Sequence, residues 1–191
     1  MTVYKRFDQP CYTVKLMLPE LAGVFRKYRK QSSGLMADYV TIPRIHMGLK
    51  YLGFQKKFTD KYMKRLIPDL RRVAKKHLPL KITVKGLGAF WSSPRWPRRN
   101  PAIYLKVVVN KNLRAFHDDV RNAVRTRVDT FSLAEGRNYH PHISLGSGKN
   151  EKIKELKKLI ARSKNAAPIT IVARRMAMRL GAKSVHYILK V

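Results

Sequence analysis

The alternation of apolar and polar positions divides the chain into short strands and amphipathic helices. Tyr12 to Leu18 reads as a strand, and Pro19-Glu20 opens a basic amphipathic helix that runs to about Ser32 and ends at Gly34. Pro43 precedes a second alternating stretch, Arg44-Ile45-His46-Met47-Gly48-Leu49-Lys50-Tyr51-Leu52-Gly53. Thr59-Asp60 caps a helix predicted to run to His77, kinked or broken at Pro68. Leu80 to Val84 is a strand leading through Gly86 and Gly88 into a loop, Trp91 to Pro101, rich in Pro, Arg and Trp. The second half runs in the same order: strand Ile103 to Val109, helix Leu113 to Val128, strand His140 to Leu145, helix Asn150 to Arg162. Two closing strands, Ile169 to Arg179 and Ser184 to Lys190, turn at Gly181-Ala182.

Each half therefore holds one strand with a histidine on its polar side. Side chains alternate across a strand, so Ile45, Met47, Leu49 and Tyr51 share one face while His46, Gly48 and Lys50 share the other. In His140-Pro141-His142-Ile143-Ser144-Leu145-Gly146, the apolar Ile143 and Leu145 oppose His140, His142 and Ser144. A lone histidine on a strand is commonly a surface or hydrogen-bonded core residue. Two in matched settings favour chemistry: with an ordinary pKa of about 6.5, one imidazole accepts a proton while the other gives one. That is what making or splitting a phosphodiester without a metal requires. Ser144, two positions after His142, projects from the same face and is placed to donate to a phosphate oxygen.

With these residues the chain resembles the 2H phosphoesterase superfamily, most closely its 2′,5′ RNA ligase and cyclic phosphodiesterase branch. Members carry two His-x-Thr/Ser-x motifs, and His46-Met47-Gly48-Leu49 and His142-Ile143-Ser144-Leu145 are this chain's counterparts. Gly86-Leu87-Gly88-Ala89-Phe90 resembles the glycine-rich strand after the second helix, and the likeness runs from about Tyr12 to the C-terminus. The resemblance implies an α+β fold: one bilobal, duplicated domain over residues 1–191, with lobe-forming halves of approximately 1–100 and 101–191. Two antiparallel-rich sheets flanked by helices would enclose a central groove holding both histidines. It also implies catalysis by His46 and His142, with Ser144 on the phosphate. In hydrolysis His142 would activate water and His46 would protonate the departing ribose oxygen. The substrates implied are 2′,3′-cyclic phosphates or 2′,5′-phosphodiester linkages, with cyclic nucleotides a further class.

One position departs from the pattern. Gly48 stands where the family has Thr or Ser, and losing one such donor costs about 10²–10³ in rate where it holds transition-state charge. A backbone amide near Gly48, or Lys50, Arg44 and His140, are the candidates to compensate. Alternatively, the glycine marks a bulge or a close approach to ligand.

Charge enlarges the picture. With 42 Lys and Arg against 11 Asp and Glu, the formal net charge is +31 on 191 residues. Self-repulsion of this size suits a polyanionic partner, and RNA is the natural one. Trp91, Trp96, Arg98 and Arg99, in the loop, are suited to stack bases and hold phosphates. The same charge and Gly48 suit a second class of function: an RNA-binding component of a large ribonucleoprotein such as a ribosome, its groove vestigial. No long apolar span or lipidation signal points to a membrane. The single cysteine, Cys11, excludes an internal disulfide and a cysteine-rich metal site. His77, His117 and His186 lack metal-ligand spacing, so no metal is expected. No Gly-x-x-x-x-Gly-Lys loop is present, and no cofactor is expected. Residues 1–10 lack the apolar stretch of a signal peptide, making the cytoplasm the expected location.

Overall fold

The structure, a computed structural model, describes residues 11–54, 61, 64–91, 100–125, 139–180 and 184–190. Nine strands form two antiparallel sheets among these residues. In chain order they are β1 (Cys11–Met17), β2 (Met36–Tyr39), β3 (His46–Phe54), β4 (Leu80–Phe90), β5 (Ala102–Val108), β6 (His142–Gly148), β7 (Ile169–Ala173), β8 (Arg175–Leu180) and β9 (Ser184–Lys190). The helices are α1 (Ala22–Gln31), α2 (Ile67–His77), α3 (Lys111–Arg125) and α4 (Ile153–Ser163). One sheet has the order β3-β1-β8-β9 and the other β2-β6-β5-β4-β7.

The sheets do not divide at residue 100. Each draws strands from both ends of the chain: β8 and β9 complete the sheet begun by β1 and β3. The exchange occurs at Arg174. The expected strand from Ile169 to Arg179 is two strands, β7 pairing with β4 and β8 with β1. Adjacent arginines at 174 and 175 interrupt the alternation, and Arg174 is exposed.

Helix periodicity matches burial. Leu21, Phe25 and Tyr28 recur at helical spacing and enter the core, as do Leu113, Phe116, Val120 and Val124 of α3. The side chain of Asn110 accepts the Leu113 N–H at 2.9 Å and caps α3. Lys61 and Lys64 are helical and Arg65 and Leu66 form a turn, so of the two expectations the helix is broken near Pro68 and not kinked, with Pro68 in the first turn of α2, where its missing N–H costs nothing. Thr59 and Asp60 lie outside the described residues. At the far end of α2, His77 and Lys76 both donate to Asp119 of α3, at 2.7 and 2.8 Å. One continuous apolar cluster takes residues from both sheets and all four helices.

The second difference concerns β4, which continues to Phe90 instead of ending at Val84. A register shift between Val84 and Leu87 absorbs the first glycine as a β-bulge, Gly86 taking φ +70°. A Cβ there would stand 2.7 Å from the Ser163 carbonyl oxygen. The Leu87 N–H donates to the Ser163 hydroxyl at 2.8 Å, pinning the end of α4 to the bulge. Gly86→Ala is therefore expected to destabilise the protein by about 1–3 kcal/mol, read as a lower urea midpoint with unchanged slope. A shift below about 0.5 kcal/mol would rule out this close packing.

Candidate active site

Both histidines open their strands. His46 begins β3 directly after a 3-10 turn, Ile42–Arg44, and the residue that joins them, Ile45; His142 begins β6 directly after Pro141. Their rings are held alike: His46 Nδ1 bonds the Arg44 carbonyl at 2.7 Å and His142 Nδ1 the His140 carbonyl at 2.9 Å. A carbonyl only accepts, so Nδ1 carries the proton and donates. This leaves Nε2 as the basic nitrogen of each neutral ring. The strands β3 and β6, one from each sheet, pack against one another, and the charge of His142 is felt at His46.

Around His142 the five-stranded sheet supplies rings. Phe90 meets it edge-on at 4.9 Å between centroids and Tyr104 at 5.4 Å. Gly88 is opposite Tyr104, and a Cβ at Gly88 would lie 2.5 Å from that ring, so the glycine lets Tyr104 settle across β4. The Tyr104 hydroxyl is hydrogen-bonded to His140 Nε2 at 3.1 Å. Ser144, half-buried, is opposite Tyr104 in β5 and on the same side as His142.

Around His46 the four-stranded sheet supplies cations. Met17 pairs with His46, Lys15 with Gly48, and Thr13 with Arg179, so alternation places Lys15 and Arg179 on the His46 side. Burial strips solvent from the imidazolium and Lys15 adds repulsion, while the Arg44 carbonyl opposes them; His142 and Arg179 repel further. Together they lower the His46 pKa to about 4.

Tyr139, directly before His140, ties the sheets together. Its hydroxyl donates to the Gly48 carbonyl at 3.2 Å, and its ring stacks on buried His117 of α3 at 3.7 Å. Burial raises its pKa and keeps the phenol protonated.

The expected site residues separate in space. Lys50 does not share the face of His46 and Gly48. A bulge at Leu49 lets Lys50 pair with core residue Val14, and Lys50 is only 6% exposed. Arg44 and His140 precede their strands instead of lying in them, and their carbonyls orient the catalytic candidates. Trp91 packs on the edge of the core with Lys157 of α4 over its ring at 5.7 Å, on the side of β4 opposite Phe90. Trp96, Arg98 and Arg99 lie outside the described residues. Gly48 is exposed, and a Cβ there would meet nothing within 4 Å. Lys15, Arg179, Phe90, Tyr104 and Tyr139 were not singled out in the sequence. Lys15 was discoverable as the polar alternate in Thr13-Val14-Lys15-Leu16. Among the described residues no group of three or more His, Cys, Asp or Glu is placed to hold a metal ion.

Proton NMR titration of His46 is expected to give a midpoint near 4, and Lys15→Met should raise it by removing a repelling charge. Folded His46 binds its proton more weakly than the unfolded side chain, whose pKa is about 6.5. Its contribution to stability is therefore complete above about pH 6.5 and is lost as pH falls toward 4. A titration near 6.5 in both proteins would contradict this electrostatic setting.

Several solved structures share the fold. TT0787 of Thermus thermophilus is 17% identical with a TM-score of 0.56, the match covering 93% of each chain. Escherichia coli LigT in its apo form is 14% identical with a TM-score of 0.54 over 94% of each chain. Kluyveromyces marxianus Usb1 is 10% identical with a TM-score of 0.52, over 95% of this chain and 98% of that one. Curated protein sequences give no significant match. The family model described as the 2′-5′ RNA ligase superfamily matches residues 19–180, spanning both histidine strands and the whole of the five-stranded sheet. The chain belongs to the 2′-5′ RNA ligase superfamily and has the fold of the 2H phosphoesterases.

Proposed function

We propose that the protein is a phosphoesterase of RNA ends, acting on 2′,3′-cyclic phosphate or 2′,5′-phosphodiester linkages by acid/base catalysis through His46 and His142 without a metal. The observation that carries this reading is the shared tether, Nδ1 to the carbonyl two residues earlier, which leaves a basic Nε2 on each ring. In hydrolysis of a cyclic phosphate, His142 takes a proton from water as its oxygen bonds phosphorus. The phosphorus bond to one ribose oxygen breaks, and His46 gives that oxygen its proton. Reversal exchanges the roles.

The low proton affinity of His46 attaches a condition to this scheme. An acid must be charged when the reaction begins, and His46 is largely neutral at pH 7 in the empty site. The phosphate anion supplies what is missing, because it offsets the repulsion from Lys15 and Arg179 and raises the His46 pKa. Substrate binding at neutral pH therefore brings a proton with it. Ser144 donates to one phosphate oxygen. Opposite Gly48, Lys15 contributes charge where the family has a hydroxyl. A phosphate on a ribose oxygen also has precedent in a structural neighbour: E. coli LigT complexed with 3′-AMP, at a TM-score of 0.54.

Gly48 and the net charge of +31 also favour the second reading, an RNA-binding ribonucleoprotein component without turnover. One experiment separates the two: turnover of an RNA oligonucleotide ending in a 2′,3′-cyclic phosphate, with chelator present. The proposed enzyme turns over and loses at least about 10²-fold in His142→Ala and in His46→Ala. Because the space above Gly48 is open, Gly48→Thr is expected to fold normally and to raise the rate, by up to about 10²-fold. Absence of turnover in every variant, with tight and salt-sensitive RNA binding, would replace the enzyme by the ribonucleoprotein component.

A further inference from the structure

Away from the histidines, α1 and α4 border a cleft of about 410 Å³. Lys27, Tyr28 and Gln31 of α1 form one wall, Arg162 and Ser163 of α4 form the other, and Asn165 also lines it. The two helices cover the side of the five-stranded sheet that faces away from His142. Ile143 and Leu145 of β6 join Phe25, Leu156 and Leu159 in the core, while His142 and Ser144 point the other way. Lys27, Gln31, Arg162 and Asn165 are all exposed. Ser163 is already engaged, donating to the Ile160 carbonyl and accepting from Leu87.

The charge here exceeds what the helices need. Cations in a last turn, such as Arg29 and Lys30 of α1 or Arg162 of α4, answer the helix dipole. Lys154, Lys157 and Lys158 stand in the first and middle turns of α4, where the dipole favours no cation. Arg26, Lys27, Lys154, Lys158 and Lys164 are exposed, and among the described residues no carboxylate forms an ion pair with Lys27 or Arg162. Two basic runs far apart in the sequence thus converge on one surface with a cleft between them.

We infer that this α1–α4 surface is a second polyanion site that holds the sugar-phosphate backbone of single-stranded RNA, with Lys27 and Arg162 on phosphates and Gln31 and Asn165 beside them. An anionic membrane fits less well. A helix that lies on a bilayer presents an apolar face outward, whereas the apolar residues of α1 and α4 point into the core. The exposed large hydrophobic residues among those described are Val108 and Val109, on neither helix. The inference is independent of the histidine chemistry, since it concerns the body of an RNA and not its end.

The test is fluorescence anisotropy with a uridine-rich RNA of about 20 nucleotides ending in a 3′-hydroxyl, titrated over a salt series. In Lys27→Glu/Arg162→Glu, affinity should fall at least about tenfold and the salt slope should become shallower by about 1–2. Lys75→Glu/Lys111→Glu, which changes the same charge on α2 and α3, should retain most of the affinity. Lys27→Gln/Arg162→Gln should show the same defect to a smaller degree, with thermal melting as for the unaltered chain. Unchanged RNA affinity in the first variant, or an equal loss in the α2 and α3 variant, would overturn the inference. So would loss of binding to phosphatidylserine vesicles in the first variant with RNA binding intact.

Discussion

A β-strand offers two faces, and the core of this protein takes one from each sheet. Met47, Leu49, Ile143 and Leu145 are essentially without solvent exposure, so the intervening residues are left to face outward from the core. His46, Gly48, His142 and Ser144 occupy those intervening positions, held in place by the packing behind them. The candidate site positions thus share a rigid frame with the core. The backbone carbonyls of Arg44 and His140 then fix the rings that the frame presents. Orientation comes from main chain, which substitution of neighbouring side chains alters little.

The two sheets furnish different surroundings. Rings of Phe90 and Tyr104 gather near His142, whereas Lys15 and Arg179 act on His46. A site made positive before ligand arrives holds unfavourable repulsion in the empty state, and an anion relieves it. Gly48 belongs to this asymmetry. The strand has no steric need for glycine there, because space above it is open. Its backbone instead meets the other sheet through Tyr139.

Much of this was legible in the sequence where periodicity and burial agree. Both histidine strands, the Lys111–Arg125 helix and the final strand fell close to their expected positions because their patterns are regular. The misreadings arose where a backbone irregularity overrode the pattern. Gly86 looked like the end of a strand and is a bulge inside one; Leu49 is a second bulge, which carried Lys50 to the core side. Strand β2 has only four residues and weak alternation, and was not foreseen. Lys15 and Arg179 lie far from the histidines in sequence. Only the sheet order, set by long-range pairing, brings them near His46.

That sheet order has a consequence in time. β1, among the first strands to be synthesised, has β3 on one side, but its other neighbour, β8, begins at Arg175. During vectorial synthesis the four-stranded sheet therefore waits with an unfilled edge until β8 has emerged. The five-stranded sheet needs nothing beyond β7 and is free to order first. Lys15 comes to His46 with β1, whereas Arg179 arrives only with β8, so a nascent chain stalled before Arg175 would carry both histidines with the weakest of the repulsions on His46 still missing.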